Sequence, residues 1–347
     1  MAGVRAPIRS RTAASGSRQR GVCHGSRSIR KGSPMADHKD VNSLLALLGA
    51  ALAAAAVVAT LLVIGEKMPA DAAVGAALVA AILIAYFAAD AAWSNGFGEF
   101  MRGFLIGINA GLNFIIAFWL LQHLLGAAAA PPPAHPAAGH PPAHPAAAAS
   151  GHAQEIALGV AIALGALNLT MVFSALTQNV VYKILVGYVL NALLPMSWLV
   201  SALGLLFFIL NLLGGLLIGL PGVDVFKLTG VGFNWGTGTF FTAGGVFSNA
   251  NPGGDGGAYN MGYFAFVKKA DGDPGSYLLG HESGHALNLA AFGSIFHLIG
   301  ALEENLIPGN GPEAYSEKLA ESNVDPGSAD GGKPSLAMWG ATQDAAS

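Results

Sequence analysis

The chain has 347 residues, 53% of them hydrophobic and only 11% charged, with a mean hydropathy of +0.53. Ordinary soluble domains carry about 25% charged residues, so this is the composition of a membrane protein with length for a helical bundle and one modest globular region. The net charge of −3 conceals an asymmetry that argues against nucleic acid as a partner. Residues 1–34 hold eight basic residues and no acid, which leaves 17 − 8 = 9 basic against 20 acidic residues from Met35 onward, where binding would need a basic folded surface. The single cysteine, Cys23, excludes an intramolecular disulfide and a cysteine-based zinc site.

Residues 1–34 are rich in Arg, Ser and Gly and are expected to be disordered. They read as a transit peptide, as a basic tail that keeps the N-terminus in the cytoplasm, or as a stretch ahead of a true start at Met35. The third reading is favoured, because Met35-Ala36-Asp37-His38-Lys39-Asp40 runs directly into the first apolar segment.

Residues 44–64 are almost wholly apolar and reach the roughly 20 residues that cross a bilayer. Glu66-Lys67-Met68-Pro69 closes this segment. A second span is expected over about 72–92, with Asp90 near its end, and a third over about 104–125, opened by Arg102. Residues 127–153 are a low-complexity Ala/Pro/Gly/His stretch that reads as a semi-extended linker, with His135, His140, His144 and His152 incidental to it. A second apolar block divides into expected spans at about 155–176, 180–196 and 198–219, the last two tight enough that one long tilted helix is the alternative. The expected membrane region is therefore about six α-helical spans in two groups, 35–126 and 154–220. With the basic N-terminus inside, six spans return residues 221–347 to the cytoplasm and five leave them outside. The lipid bilayer is the first implied partner, and a bacterial inner membrane the expected location.

From Pro221 the composition becomes Gly-rich. Short β-branched and aromatic runs at 223–228, 237–242 and 259–268 are separated by turn residues, which predicts a small twisted sheet. A helix follows over 277–293, with Ser276 as N-cap and Gly293 as C-cap. Residues 294–305 form a further short helix or a turn, 308–312 a loop, 313–322 another short helix, and 326–347 a flexible tail. The folded region is thus 221–325, an α+β unit.

The helix over 277–293 carries His281-Glu282-Ser283-Gly284-His285, an H-E-x-x-H motif. Residues four apart share a helical face, so His281 and His285 can hold one metal ion, and Glu282 can reach a water on it as general base. The rest of the helix is apolar apart from Asn288, and three such polar groups are costly to bury unless something satisfies them. Zinc is the simplest candidate. A catalytic zinc needs a third protein ligand. A third histidine six residues on is excluded, because that position is Ala291. His297, between Phe296 and Leu298, reads as a packed core residue. The acids remain: Glu304, eighteen intervening residues after His285; Glu303 beside it, which with Glu313 reads as a solvated acidic face; and Glu317, with Glu321 four residues further on one helical face.

These residues resemble the gluzincin-type zinc metallopeptidases over about residues 225–325, with Glu321 standing where that family usually has Asp. The resemblance implies a zincin-like domain holding Zn2+ through His281, His285 and a downstream acid, with Glu317 favoured over Glu304. It implies Glu321 hydrogen-bonding a liganding histidine, Glu282 as general base and Tyr315 as a donor to the oxyanion. It also implies an edge strand, at 237–246 or 259–267, that binds an extended peptide or protein substrate. A second resemblance is to site-2 proteases, which are polytopic and pair H-E-x-x-H with a later Asn-Pro…Asp-Gly motif. Here Asn323-Val324-Asp325-Pro326 and Asp330-Gly331 are similar, at a spacing one residue short and in polar surroundings. The expected function is a membrane-anchored zinc metallopeptidase. The alternatives are a non-catalytic membrane protein with a structural or vestigial zinc domain, and an intramembrane peptidase. Transport is disfavoured, because the spans are poor in ionisable residues.

Overall fold

The computed structural model describes residues 35–64, 72–93, 96–129, 145–172, 189–217, 227–235, 239–249, 257–268, 276–307 and 314–321. The basic segment 1–34, most of the linker with His135, His140 and His144, most of the expected span at 180–196, Glu313, the Asn323–Gly332 match and the tail all lie outside the described residues.

Three apolar helices come first: α1 (Met35–Ile64), α2 (Ala72–Ala91) and α3 (Gly96–Ala129). Gly103, Gly107 and Gly111 recur every four residues and put one small stripe on α3. A Cβ at Gly103 would lie 1.8 Å from the Ala46 carbonyl oxygen, and one at Gly107 2.2 Å from that of Ala50. The two backbones meet directly at this stripe. That is how helices associate in lipid, where hydrophobic burial gives no drive and close packing of small residues replaces it. Helix α4 (Pro145–Leu169) lies against α3. A short α5 (Asn191–Leu193) and a 3-10 turn (Pro195–Ser197) lead into α6 (Trp198–Leu217).

The described residues form one sheet of β1 (Leu228–Asn234), β2 (Thr239–Gly244), β3 (Ala258–Met261) and β4 (Phe264–Val267), in the order β1-β2-β4-β3. β2 and β4 run parallel; the two outer pairs are antiparallel. The single run expected over 259–268 is two strands, because Gly262 takes a positive φ of 72° and reverses the chain between Met261 and Phe264. The sheet rests on α6. The Asn211 side chain donates to Thr242 Oγ1 (2.8 Å) and to the Gly244 carbonyl (3.2 Å), and accepts from the Phe247 amide at the start of α7 (Val246–Asn249). One amide thus ties the turn after β2 to an apolar helix.

Helix α8 (Ser276–Leu306) carries the motif. It is broken at Gly293, whose φ of 81° and ψ of 177° are not helical. The expected C-cap is there, but the chain resumes as a helix at once, so the motif segment and the helix expected over 294–305 form one length. Side chains from three other elements bond the turn before the break. Ser197 donates to the Leu289 carbonyl (3.2 Å), Asn168 to Ala290 (2.8 Å) and Asn109 to Ala291 (3.0 Å). Last comes α9 (Tyr315–Glu321), packed on α8 and α2.

Among the described residues, four helical lengths are long and apolar enough to cross a membrane: Gly96–Gly126, Gly151–Val172, Pro195–Gly215 and Leu278–Leu306; Leu44–Thr60 and Gly75–Ala91 are shorter. The chain is therefore mostly helical and membrane-associated, with a small C-terminal sheet. Unexpectedly, the fourth candidate span is the motif helix itself. One apolar core joins α1, α2 and α3 to Phe292 and Phe296 of α8 and to Tyr315 and Leu319 of α9.

The α1–α3 contact yields a direct prediction. Gly107→Leu, whose Cβ meets backbone, should destabilise the protein by about 1–3 kcal/mol and lower its Tm in detergent. Gly126→Leu on the same helix, with nothing within 4 Å, should leave Tm unchanged.

Candidate metal centre

The first half of α8 sets His281 and His285 one turn apart, and α9 brings Glu317 to them from a separate helix. His281 Nε2 is 3.0 Å from Glu317 Oε2, His285 Nε2 is 3.2 Å from Glu317 Oε1, and the two Nε2 atoms are 3.3 Å apart. Two ligands bound tetrahedrally at roughly 2.0–2.1 Å from zinc are themselves about 3.3 Å apart, so the three groups stand at the spacing of a coordination shell. His281, His285 and Glu317 form the one such group found among the described residues, and it can hold a metal ion.

The surroundings fit that role. His281 Nδ1 lies 2.9 Å from Glu321 Oε2. With Nδ1–H donated there, Nε2 keeps its lone pair for a metal, and the carboxylate makes the ring a better donor. Burial by itself would raise the Glu317 carboxyl. The two histidines beside it, His285 foremost, outweigh burial and favour the ionised form, which holds it well below the usual carboxylate range. Burial raises the carboxyl of Glu321. Glu282 is 2% exposed and its Oε2 has no hydrogen-bond partner. An unsatisfied buried oxygen of this kind costs about 1–3 kcal/mol or more, a cost that a bound water or substrate group relieves.

A cleft of about 300 Å³ opens here, lined by Glu282, both motif histidines, His297, Glu304 and strand β3. β3 is the outer strand on this side. The two-residue turn closes between Met261 and Phe264, so Asn260, opposite Ala265, is a non-hydrogen-bonded pair whose amide and carbonyl face outward. The Asn260 carbonyl accepts from His297 Nε2 at 3.2 Å, and its side chain donates to the Glu282 carbonyl at 2.9 Å. Asn260 therefore fixes the strand edge against the motif helix.

Other residues fall elsewhere than the sequence suggests. His297 is a partly exposed part of the cleft wall rather than a packed core residue, because its ring turns to the outward carbonyl of β3. Glu304 lines the cleft but is not one of the metal-holding group. Glu303 is not a solvated surface acid. It is 5% exposed, and its Oε2 accepts from the Tyr86 hydroxyl (2.5 Å) and the Tyr315 amide (3.1 Å). Tyr315 is fully buried and does not line the cleft. Its ring lies 5.0 Å from that of Tyr86 and 5.7 Å from that of Trp93, and its hydroxyl faces Arg102. The oxyanion role expected for Tyr315 therefore has no support in its position. Asp90, conspicuous near the end of its span, pairs with Lys318 of α9.

Asn260 and Tyr86 carry no local signal that marks them. Asn288 does: it is the polar residue one turn past His285 on the motif face, and it donates to the Ser316 carbonyl of α9 at 3.2 Å. Comparison with protein-family models, with curated proteins and with solved structures gives no match.

One divalent metal ion per chain is the expected stoichiometry for the purified protein by elemental analysis. Glu317→Ala should remove it, Glu304→Ala should retain it, and Glu321→Ala should weaken affinity by about 10–100-fold.

Proposed function

We propose that this chain is a membrane-anchored zinc metallopeptidase of the gluzincin type, with His281, His285 and Glu317 as ligands and Glu282 as general base. The observation that carries the reading is the unpartnered, buried Glu282 carboxylate oxygen, set in the same cleft as the His/His/Glu group. A set of two imidazoles and one carboxylate is that of catalytic zinc sites, and zinc so held supplies a Lewis acid that activates water and polarises a carbonyl. Glu282 accepts the proton of the attacking water and returns it to the leaving amine. The outward main-chain groups of Ala258 and the outward Asn260 amide pair with an extended peptide, as a strand added to the sheet edge beyond the Asn260 carbonyl that His297 holds. Of the two edge strands considered from the sequence, 259–267 is the one that meets the cleft. Glu321 holds the ring of His281 in register.

We further propose that the cleft faces the cytoplasm of a bacterial-type inner membrane: with the N-terminus inside and α1 and α2 taken as an outward and a returning crossing, the α2–α3 corner, to which α9 is held through Asp90 and Trp93, lies on that side.

A second reading is favoured by one observation: Leu278–Leu306 is itself long and apolar enough to cross a membrane. In a site-2-protease-like intramembrane peptidase the third ligand comes from the 323–332 segment. Asp330→Asn removes the metal in that reading, and Glu317→Gln removes it in the first.

Glu282→Gln should keep zinc and lose turnover of peptide substrates by about 100-fold or more in detergent or proteoliposomes. Full activity in this variant rejects the mechanism. Bound zinc without any peptidase activity in the wild type favours a structural site.

A further inference from the structure

The Tyr86–Glu303 contact links the membrane helices to the metal-holding group. Tyr86 lies on α2, fully buried, and its hydroxyl donates to Glu303 on the second half of α8 at 2.5 Å. Both groups then turn to the start of α9. Glu303 Oε2 accepts from the Tyr315 amide (3.1 Å), and the Tyr86 hydroxyl accepts from the Ser316 amide (3.2 Å). These are two of the first-turn N–H groups that a helix cannot satisfy internally. Such groups are ordinarily capped by a side chain just ahead of the helix. Here the caps come from two other helices, one of them 230 positions earlier in the chain. The residue after Ser316 is Glu317. The bonds that orient the first turn of α9 therefore also orient the carboxylate that meets His281 and His285.

We infer that Tyr86 and Glu303 are positioning residues for the metal centre, so that the apolar helix α2 sets its affinity through the first turn of α9. The inference rests on the metal-holding reading of His281, His285 and Glu317, and is independent of peptidase activity. The Asp90–Lys318 pair holds the next residue of α9 to the same helix, and Lys318 Nζ lies 5.9 Å over the ring of Trp93 in the turn that follows it. The Asn288 bond to the Ser316 carbonyl secures its other side. A 7-residue helix has little intrinsic stability, so its placement depends on such contacts.

The test measures zinc affinity of the full-length protein in detergent by competition with a chelating indicator. Tyr86→Phe keeps the ring and removes the hydroxyl, and should weaken zinc by about 10–100-fold, the usual effect of losing support behind a ligand. Glu303→Ala should do the same. Glu303→Gln, whose amide oxygen still accepts from Tyr315 and Tyr86, should keep most of the affinity. Ser248→Ala removes a buried hydroxyl from the Asn211 cluster, away from α9, and should bind as the wild type does. Wild-type affinity in both Tyr86→Phe and Glu303→Ala overturns the inference, and so does equal weakening in Ser248→Ala. If neither Tyr86→Phe nor Glu303→Ala gives monodisperse folded protein, the pair serves the fold rather than the metal, and the inference also falls. Unchanged affinity in the pair, alongside loss of zinc in Glu317→Ala, removes this inference and leaves the metal centre standing. Absence of zinc from the wild type removes both.

Discussion

The break in α8 at Gly293 is the constraint on which the rest of the structure depends. Non-helical backbone among apolar helices is tolerated only where other groups of the protein surround and bond it. Here Asn109, Asn168 and Ser197, from three separate elements, converge on three successive carbonyls. Asn113 in turn donates to Asn168 Oδ1 and accepts from the Met196 amide, which orients the cluster. A Cβ at position 293 would lie 2.4 Å from Asn109 Oδ1, and its backbone would be strained as well. The helix is thereby locked to the bundle at one point. Its first half carries the polar cluster toward the sheet, and its second half returns Glu303 to α2.

The same bundle explains how an apolar chain accommodates its few charges. Arg102 is fully buried and bonds Glu99 at 2.7 Å as well as the Trp93 carbonyl. Asp90 meets Lys318. A buried pair such as Arg102–Glu99 adds little net stability over an apolar contact, but removal of one partner is strongly destabilising; Asp90–Lys318 is only partly buried. Their effect here is geometric: they gather at the α2–α3 corner and fix α9 against it. The apolar helices α1, α2 and α3 are consequently not separate from the helices that carry the metal-holding group: they share one core with α8 and α9.

Much of the local structure was legible in the chain. The H-E-x-x-H spacing, the break at Gly293, the turn-rich strands and the short acidic helix all follow from the residues that make them. The i, i+4 relation needs only a helix, and a glycine at a positive φ needs only its own missing side chain. The Gly103, Gly107, Gly111 stripe was equally local, but its meaning depends on α1 approaching within backbone contact. Length misled at α8: two short helices were legible on either side of Gly293, yet together they form an apolar length of 29 residues.

By itself, then, the sequence determined the membrane character, the pair of histidines and the glutamate between them, and the position of the break. The tertiary structure decided which acid joins the histidines, which strand edge meets the cleft, and that Tyr315 and Glu303 are interior. These depend on contacts such as Tyr86 to Glu303, across 217 residues of sequence. Helical periodicity is written into neighbouring residues, whereas the placement of α9 is written into a surface assembled from α2, α3 and α8 once they have packed.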